Sequence, residues 1–194
     1  DEGSENYFVE FHDAINFVVC FGCKSKKKNL PLPKFSKMAT CYVLFGSNLG
    51  DKETIFTQAC LLINNRCGAI RDVSAAYESE PWGFETKEWF LNRVIVLETD
   101  LVPEDLLDAL LQIEAELGRV RYPDVKGYAS RTADLDILYY DDRVIRTKRL
   151  VVPHLRLHLR RFALMPMCEV APELVHPVLH MTQLELLRHC PDNS

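Results

Sequence analysis

The sequence predicts an α+β fold, in which an antiparallel β-sheet carries packed helices. Short runs of β-branched and aromatic residues alternate with stretches whose apolar residues recur at helical spacing, and glycine or proline separates them. The chain has 194 residues, of which 47% are hydrophobic and 26% charged, so it is long enough for one domain with a substantial core.

The first predicted elements are a strand at 40–45 and a helix at 51–65. The strand, TCYVLF, is a short apolar run that Gly46 ends. The helix begins at an aspartate, which is a favourable N-cap, and Ala59 and Ile63 keep helical spacing. We therefore expect a buried strand followed by a helix.

The next predicted elements are two strands, a helix and a further strand. The strands at 70–77 and 90–99 show alternating apolar residues. The helix at 103–117 begins at a proline, which suits the first helical position, and Gly118 can end it. With the strand at 135–140, the order β-α-β-β-α-β is that of a ferredoxin-like sandwich, with helices on one face of the sheet.

The remaining patterns set the expected domain boundaries. A short strand at 150–152 and helices at 160–170 and 183–189 complete a domain that we expect to span residues 38–194. Residues 1–37 place a basic run after an apolar stretch, which is the wrong order for a secretory signal. We expect this segment to be an extension outside the domain: a tag, a gene-prediction artefact, or a genuine basic tail.

Composition and charge argue against several classes of function. The formal net charge of −5 argues against a broad basic surface for nucleic acid. No apolar run approaches the roughly 20 residues of a membrane span. The seven cysteines are odd in number and scattered, which indicates reduced thiols in a cytoplasmic protein.

The strongest local signal is the pair Asp134 and Asp136. Residues two apart on a strand point to the same face, so the two carboxylates are expected to project together. Such close like charges repel unless a cation neutralises them, and Mg²⁺ binds carboxylates together with phosphate oxygens. One interpretation is therefore a magnesium site, and the other is a solvated strand end.

Arginines accompany the acidic pair. Arg119 and Arg121 share a face in an extended chain, and Arg131 lies three residues before Asp134. Three more follow later: Arg149, Arg160 and Arg161. Each alone is consistent with a surface charge, but the cluster favours an ATP site, where guanidinium groups neutralise phosphate charge. No Walker-type phosphate loop is present.

Aromatic and polar residues indicate where a flat heterocycle could bind. Phe90 opens a predicted strand and Phe162 follows an arginine pair, although either alone is consistent with the core. Asn92 shares a face with Phe90, and its amide can donate to and accept from a heterocycle edge. Glu114 interrupts an apolar helical stripe, so it either lies at a water-exposed edge or acts near a nucleotide.

Together these segments resemble the dihydropterin pyrophosphokinases. The matching segments are GSNLGD (46–51), YESEPWG (77–83), FLN (90–92), IEAELGRVR (113–121), SRTADLDIL (130–138), RLVVPH (149–154), RRFALMP (160–166) and APELVHP (171–177). They run in order across about residues 40–177, so jointly they are far more specific than any one of them. The resemblance implies a ferredoxin-like fold with mobile loops. It also implies transfer of the β,γ-pyrophosphoryl group of ATP to the hydroxymethyl oxygen of a pterin, a step of folate biosynthesis.

The resemblance also implies a role for each matching residue. Asp134 and Asp136 resemble the ligands of two Mg²⁺ ions, and with Arg119 and Arg131 they form the expected catalytic set. The expected ATP-binding residues are Glu114, Arg121, Ile137, Arg149, His154 and Arg160. The expected pterin-binding residues are Gly46, Ser79, Trp82, Phe90, Asn92 and Phe162. The nucleophile is an alcohol of the substrate, so no side-chain nucleophile is assigned.

Two positions depart from the family pattern and concern loop closure and nucleotide contacts. The segment 122–130 has no tryptophan, which many relatives carry; Tyr128 could replace it, or Lys126 could contact phosphate. Leu155 follows His154 where a tyrosine is frequent.

The expected partners are ATP and 6-hydroxymethyl-7,8-dihydropterin, without nucleic acid or membrane, and the expected state is a monomer or weak homodimer.

Two other functions are compatible with the acidic pair. One is a glycosyltransferase, which uses a D-x-D pair to hold a metal and a sugar nucleotide. The other is a non-catalytic interaction module, in which the pair is merely solvated. Fusion to another folate enzyme is also open.

Overall fold

The computed structural model describes residues 38–83, 86–120 and 129–193. The predicted extension at 1–37 lies outside these residues, and so do Arg121, Lys126 and Tyr128. The elements are, in chain order, β1 (Ala39–Ser47), α1 (Lys52–Arg66), β2 (Ala69–Val73), β3 (Tyr77–Ser79), β4 (Phe90–Thr99), α2 (Pro103–Glu116), β5 (Asp134–Tyr140), β6 (Ile145–Arg146), β7 (Val151–Val152), a 3-10 helix (Leu157–Leu159), α3 (Arg161–Val170) and α4 (Gln183–Arg188).

The main sheet is antiparallel, as predicted, and β1 lies inside it. β1 pairs with β4 along its whole length and with β5 from Cys41 to Gly46. β2 and β3 both pair with β4, so the strand order is β2-β4-β1-β5. The predicted strand at 150–152 is β7, which pairs with the unpredicted β6 in a separate small sheet.

Helices cover both faces of the sheet, so the prediction of helices on one face was wrong. α1 and α2 pack on the face that carries Val43 and Ile95. α3 and α4 pack on the face that carries Leu44 and Val94. β1 and β4 are apolar on both faces, and such strands must be covered on both sides. The α+β class itself is confirmed.

The two helices that were predicted first begin and end as their sequences indicated. The Asp51 carboxylate accepts a hydrogen bond from the Thr54 main-chain N–H at 3.2 Å, which caps α1. α2 begins at Pro103, and Gly118 follows it with φ of +86°, a left-handed conformation that suits glycine after a helix end.

The predicted strand at 70–77 is interrupted, and this is a correction. The Ser74 side chain and main chain both bond to Val94, at 2.9 Å each. The next N–H, that of Ala75, leaves the sheet and donates to the Glu169 carboxylate of α3, which the Tyr77 hydroxyl also contacts at 3.0 Å. β3 therefore starts a new pairing with the beginning of β4.

Two further observations concern the part of the chain that the structure describes. Its cysteines carry free thiols, with Cys41 and Cys67 buried. Among these residues, no helix combines the length and apolar character needed to cross a membrane.

Candidate active site

One pocket collects most of the residues that the sequence singled out. It opens where β1 ends and where β4, β5 and α3 begin. Its lining residues are Leu44, Gly46, Ser79, Glu80, Trp82, Phe90, Asn92, Arg131, Asp134, Asp136, Arg160 and Phe162. All six residues predicted for the pterin are among them, together with four of those predicted for ATP, metal and catalysis.

The register of the sheet explains how the pocket floor forms. Gly46 lies opposite Asn92 on β4 and opposite Asp134 on β5. A Cβ atom at Gly46 would lie 3.6 Å from Asn92 Oδ1 and 3.8 Å from Asp134 Cβ. A larger side chain would extend into the space between these two residues. The glycine thus leaves the main chain of β1 accessible between an amide and a carboxylate.

A hydrogen bond network orients the Asn92 amide. Its Nδ2 donates to Ser79 Oγ at 3.0 Å and to the Tyr77 carbonyl at 3.4 Å. Both donors are therefore used inside the protein. The Oδ1 atom, beside Gly46, is left as an acceptor for a donor on a bound ring.

Aromatic rings and guanidinium groups alternate around the pocket. The guanidinium carbon of Arg131 lies 5.3 Å from the centre of the Phe90 ring. That of Arg160 lies 5.0 Å from the Trp82 ring and 5.6 Å from the Phe162 ring. These distances are within cation–π range, so the same residues offer flat surfaces and positive charge.

A second arginine approaches Trp82, and no sequence pattern had pointed to it. The Arg156 guanidinium lies 5.9 Å from the Trp82 ring. Glu80 and Leu44 are further lining residues that pattern alone did not single out.

The acidic pair lies at the pocket edge, and the alternative of a solvated strand end was wrong. Asp134 has 16% of its side chain exposed. Burial and the neighbouring Asp134 carboxylate raise the pKa of Asp136 to about 7, although Arg160 and Arg131 oppose the shift. The two carboxylates therefore form a site where a further positive charge is favourable.

Arg119 joins the acidic pair to the helix layer. Its Nη1 donates to Glu114 Oε1 at 2.8 Å and to the Ala133 carbonyl at 3.3 Å, and it forms an ion pair with Asp134. On the other side, Arg131 Nε lies 2.9 Å from Asp134 Oδ2. Burial alone lowers the pKa of Arg119, but Asp134 and Glu114 outweigh it, so the pKa is raised.

Glu114 is buried, with 1% of its surface exposed, so the alternative of a water-exposed stripe edge was wrong. Its Oε1 accepts a second hydrogen bond, from the Leu135 main-chain N–H at 2.8 Å. A carboxylate in an apolar stripe is thus explained by its partners on the loop and on β5. Within the described contacts, Glu114 acts on Arg119 and does not line the pocket.

Three other predicted residues lie outside the pocket lining. Ile137 belongs to the core that α1 and α2 cover. Arg149 is exposed and pairs with Asp108. His154 lies in a neighbouring apolar groove, where burial and Arg160 lower its pKa to about 4. Arg121 lies outside the described residues. Their roles towards ATP stay predictions.

Comparison with known proteins shows the family of the chain. The family model of 7,8-dihydro-6-hydroxymethylpterin-pyrophosphokinase matches residues 42–172. The chain is 41% identical over 134 residues to the 2-amino-4-hydroxy-6-hydroxymethyldihydropteridine pyrophosphokinase of Bacillus subtilis (strain 168), covering 69% of this chain and 78% of that protein. It is 40% identical over 160 residues to the folic acid synthesis protein fol1 of Schizosaccharomyces pombe, covering 82% of this chain but 21% of that protein.

The fold has a counterpart among solved structures. The Plasmodium falciparum HPPK-DHPS crystal structure superposes with a TM-score of 0.64 at 15% identity, covering 80% of this chain and 44% of that chain. The chain thus spans less than half of that protein, and the likeness concerns the fold alone.

The family match favours the pyrophosphokinase interpretation over a glycosyltransferase or a non-catalytic module. The chain belongs to the 7,8-dihydro-6-hydroxymethylpterin-pyrophosphokinase family of ATP-dependent diphosphokinases.

Proposed function

We propose that this pocket is the site at which the chain transfers pyrophosphate from ATP to 6-hydroxymethyl-7,8-dihydropterin, a step of folate synthesis. One observation carries the assignment: a partly buried acidic pair and two arginines line a pocket whose other walls are aromatic. The aromatic walls suit a flat ring, and the charged groups suit a polyphosphate.

The pterin occupies the aromatic part of the pocket. Phe90 and Phe162 offer ring faces for stacking, which contributes on the order of 1 kcal/mol per ring beyond burial. Asn92 Oδ1 and the main chain at Gly46 form hydrogen bonds with the polar edge of the pterin. Ser79 holds the Asn92 amide in place, and Trp82 closes the wall beside Arg160.

Asp134 and Asp136 fit a magnesium site. Their donor atoms are hard carboxylate oxygens, and the pKa of Asp136 is raised by burial first and by the neighbouring Asp134 carboxylate second. No cluster of three or more acidic, cysteine or histidine side chains in metal-binding geometry occurs among the described residues. Two protein carboxylates suit Mg²⁺, which takes its other ligands from phosphate and water. Held by Asp134 and Asp136, Mg²⁺ would neutralise phosphate charge, and we propose two such ions.

The reaction is a substitution at the β-phosphorus of ATP. The hydroxymethyl oxygen of the pterin forms the new P–O bond, the bond to the α-phosphate oxygen breaks, and AMP leaves. The hydroxyl proton leaves the pterin, and no side chain is assigned as its acceptor. Arg119 and Arg131 stabilise the charge on the transferred group, while the pocket walls hold the pterin oxygen in line.

The remaining assignments complete this proposal. Glu114, Arg121, Ile137, Arg149, His154 and Arg160 serve ATP, with Glu114 acting through Arg119. The domain spans residues 38–194, its sheet and first two helices have the ferredoxin-like arrangement, and residues 1–37 are an extension. The protein works in the cytoplasm as a monomer or weak homodimer, without nucleic acid or membrane.

Product analysis tests the proposal. The chain is incubated with ATP, Mg²⁺ and 6-hydroxymethyl-7,8-dihydropterin, and AMP is quantified. We expect AMP only when the pterin is present, and its loss in Asp134→Asn and Asp136→Asn. Asp142→Asn, an exposed aspartate just beyond the same strand, serves as the matched control and should keep full activity. ADP as the product, or AMP release that ignores the pterin, would refute the assignment.

A further inference from the structure

Asn48 is a buried residue in the turn after β1, and it was not among the predicted site residues. Only 3% of its surface is exposed. Its Oδ1 accepts a hydrogen bond from the Arg131 main-chain N–H at 2.8 Å, and its Nδ2 donates to Ser130 Oγ at 3.0 Å. Its own N–H donates to the Arg131 carbonyl at 3.2 Å. All three bonds end on two consecutive residues, so they fix the main chain at Arg131.

The turn that carries Asn48 is itself anchored at both ends. On one side, Ser47 is fully buried and still paired with β4. On the other side, Asp51 caps α1 through the Thr54 N–H. Gly50, with φ of +74°, provides the left-handed residue between them. Asn48 therefore links the position of Arg131 to the rigid sheet and helix.

Arg131 is the residue whose placement this link determines. Its Nε lies 2.9 Å from Asp134 Oδ2, and its guanidinium lies over the Phe90 ring. The same residue therefore meets the acidic pair and the wall of the pterin pocket. A displaced or rotated main chain at Arg131 would carry the guanidinium away from both.

We propose that Asn48 is a positioning residue for pyrophosphoryl transfer, which acts by holding Arg131 at the phosphates. The inference rests on the proposed function of the pocket. Asn48 itself does not line the pocket, and its contacts with Arg131 are made to the main chain, away from Asp134 and the Phe90 ring. Its loss therefore affects the transfer step and leaves the pterin-binding surfaces in place.

The expected effect follows from the sensitivity of catalysis to position. A shift of roughly 1 Å in a catalytic group lowers rates by about 10²-fold. We expect Asn48→Ala to lower kcat by about 10- to 100-fold, with a change of less than about threefold in the KM for the pterin. Ser130→Ala removes one bond and spares the Asn48 bond to the Arg131 N–H, so it should have a much smaller effect.

The experiment compares these variants with a matched control and a double-mutant cycle. Asn65→Ala, an exposed asparagine on α1, controls for the substitution itself. If Asn48 acts through Arg131, then Asn48→Ala should have little further effect in an Arg131→Ala background. Asn48→Ser, which is too short to reach the Arg131 N–H, replaces Asn48→Ala if that variant does not fold.

The outcomes separate this inference from the proposed function. A wild-type chain that makes no pterin-dependent AMP overturns both. An active wild type with normal kcat in folded Asn48 variants overturns the positioning role alone. Independent, multiplicative effects of Asn48→Ala and Arg131→Ala also overturn it, because they place the action of Asn48 elsewhere. A loss confined to the KM for the pterin does the same.

Discussion

Substitution of Glu114 tests most directly what holds the site together, because one of its carboxylate oxygen atoms accepts hydrogen bonds from two partners. Its Oε1 accepts from Arg119 Nη1 and from the Leu135 N–H, each at 2.8 Å. Glu114→Gln keeps an oxygen at this position and removes only the charge. Glu114→Ala removes the oxygen, so a main-chain donor on β5 and a guanidinium both lose an acceptor.

The contacts give the expected magnitudes. A buried donor without an acceptor costs about 1–3 kcal/mol, and breaking a buried ion pair costs about 3–5 kcal/mol. Arg119, with 13% of its side chain exposed, still has Asp134 as a partner, so the low end applies. We expect Glu114→Ala to lower the free energy of unfolding by about 3 kcal/mol. Glu114→Gln should lower it by about 1 kcal/mol, the difference between a charge-assisted and a neutral hydrogen bond.

Urea unfolding of both variants measures these values, with Glu116→Ala as the control. Glu116 lies on the same helix, but it is exposed and pairs with Arg66 at the surface, where such a pair contributes little. If Glu114→Ala is as stable as Glu116→Ala, then Glu114 does not anchor the loop to the strand.

Three other changes have expected outcomes of their own. Gly68→Ala should destabilise by at least about 2 kcal/mol in thermal unfolding, since Gly68 has φ of +139° and a Cβ there would lie 2.1 Å from the Glu98 carbonyl oxygen. Gly118→Ala, whose nearest contact is at 3.9 Å, should lose less, and equal losses would contradict the steric argument. The pKa of His154 is lowered from 6.5 to about 4 in the folded chain. Below pH 6.5 this residue therefore binds a proton more readily in the unfolded chain than in the folded chain, so the free energy of unfolding falls as the pH drops. Between pH 7 and pH 4.5 the wild type should lose about 2–3 kcal/mol more than His154→Gln in urea unfolding, and equal losses would refute the assignment. Phe162→Leu should raise the KM for the pterin about 3- to 10-fold and leave the KM for ATP unchanged, and a change in the KM for ATP alone would remove Phe162 from the pterin site.

Local sequence patterns predicted those features that local physics controls. The Asp51 cap, the proline that starts α2 and the glycine that follows it depend on a few neighbouring residues, and the structure agrees with each. The shared face of Asp134 and Asp136 depends only on the alternation of a strand. These predictions needed no knowledge of distant contacts.

The features that the sequence did not predict depend on contacts between distant segments. The interruption before β3 requires Glu169, which is 94 residues from Ala75. The Asn48 bond to Arg131 spans 83 residues. In the sequence, Asn48 is a polar residue in a turn, where asparagine is common for local reasons. The helices on the second face are an exception, because the continuous apolar runs of β1 and β4 already require cover on both sides of the sheet.

The arrangement of charge around Asp134 has a further consequence for ATP binding. Asp134 pairs with both Arg119 and Arg131, whereas Asp136 has a pKa raised to about 7 by burial and by Asp134. Phosphate oxygens arriving alone would compete with Asp134 for the two arginines and would leave two carboxylates poorly neutralised. If a divalent cation binds together with the phosphates, the two carboxylates pair with the cation and the two arginines pair with the phosphates. Every charged group then keeps a partner of opposite charge. ATP should therefore bind much more tightly with Mg²⁺ than without it. Asp134→Asn should reduce this difference in ATP affinity, since it removes one of the two carboxylates that pair with the cation. Calorimetric titration measures both affinities, and an ATP affinity that ignores Mg²⁺ in the wild type would contradict this account of the acidic pair.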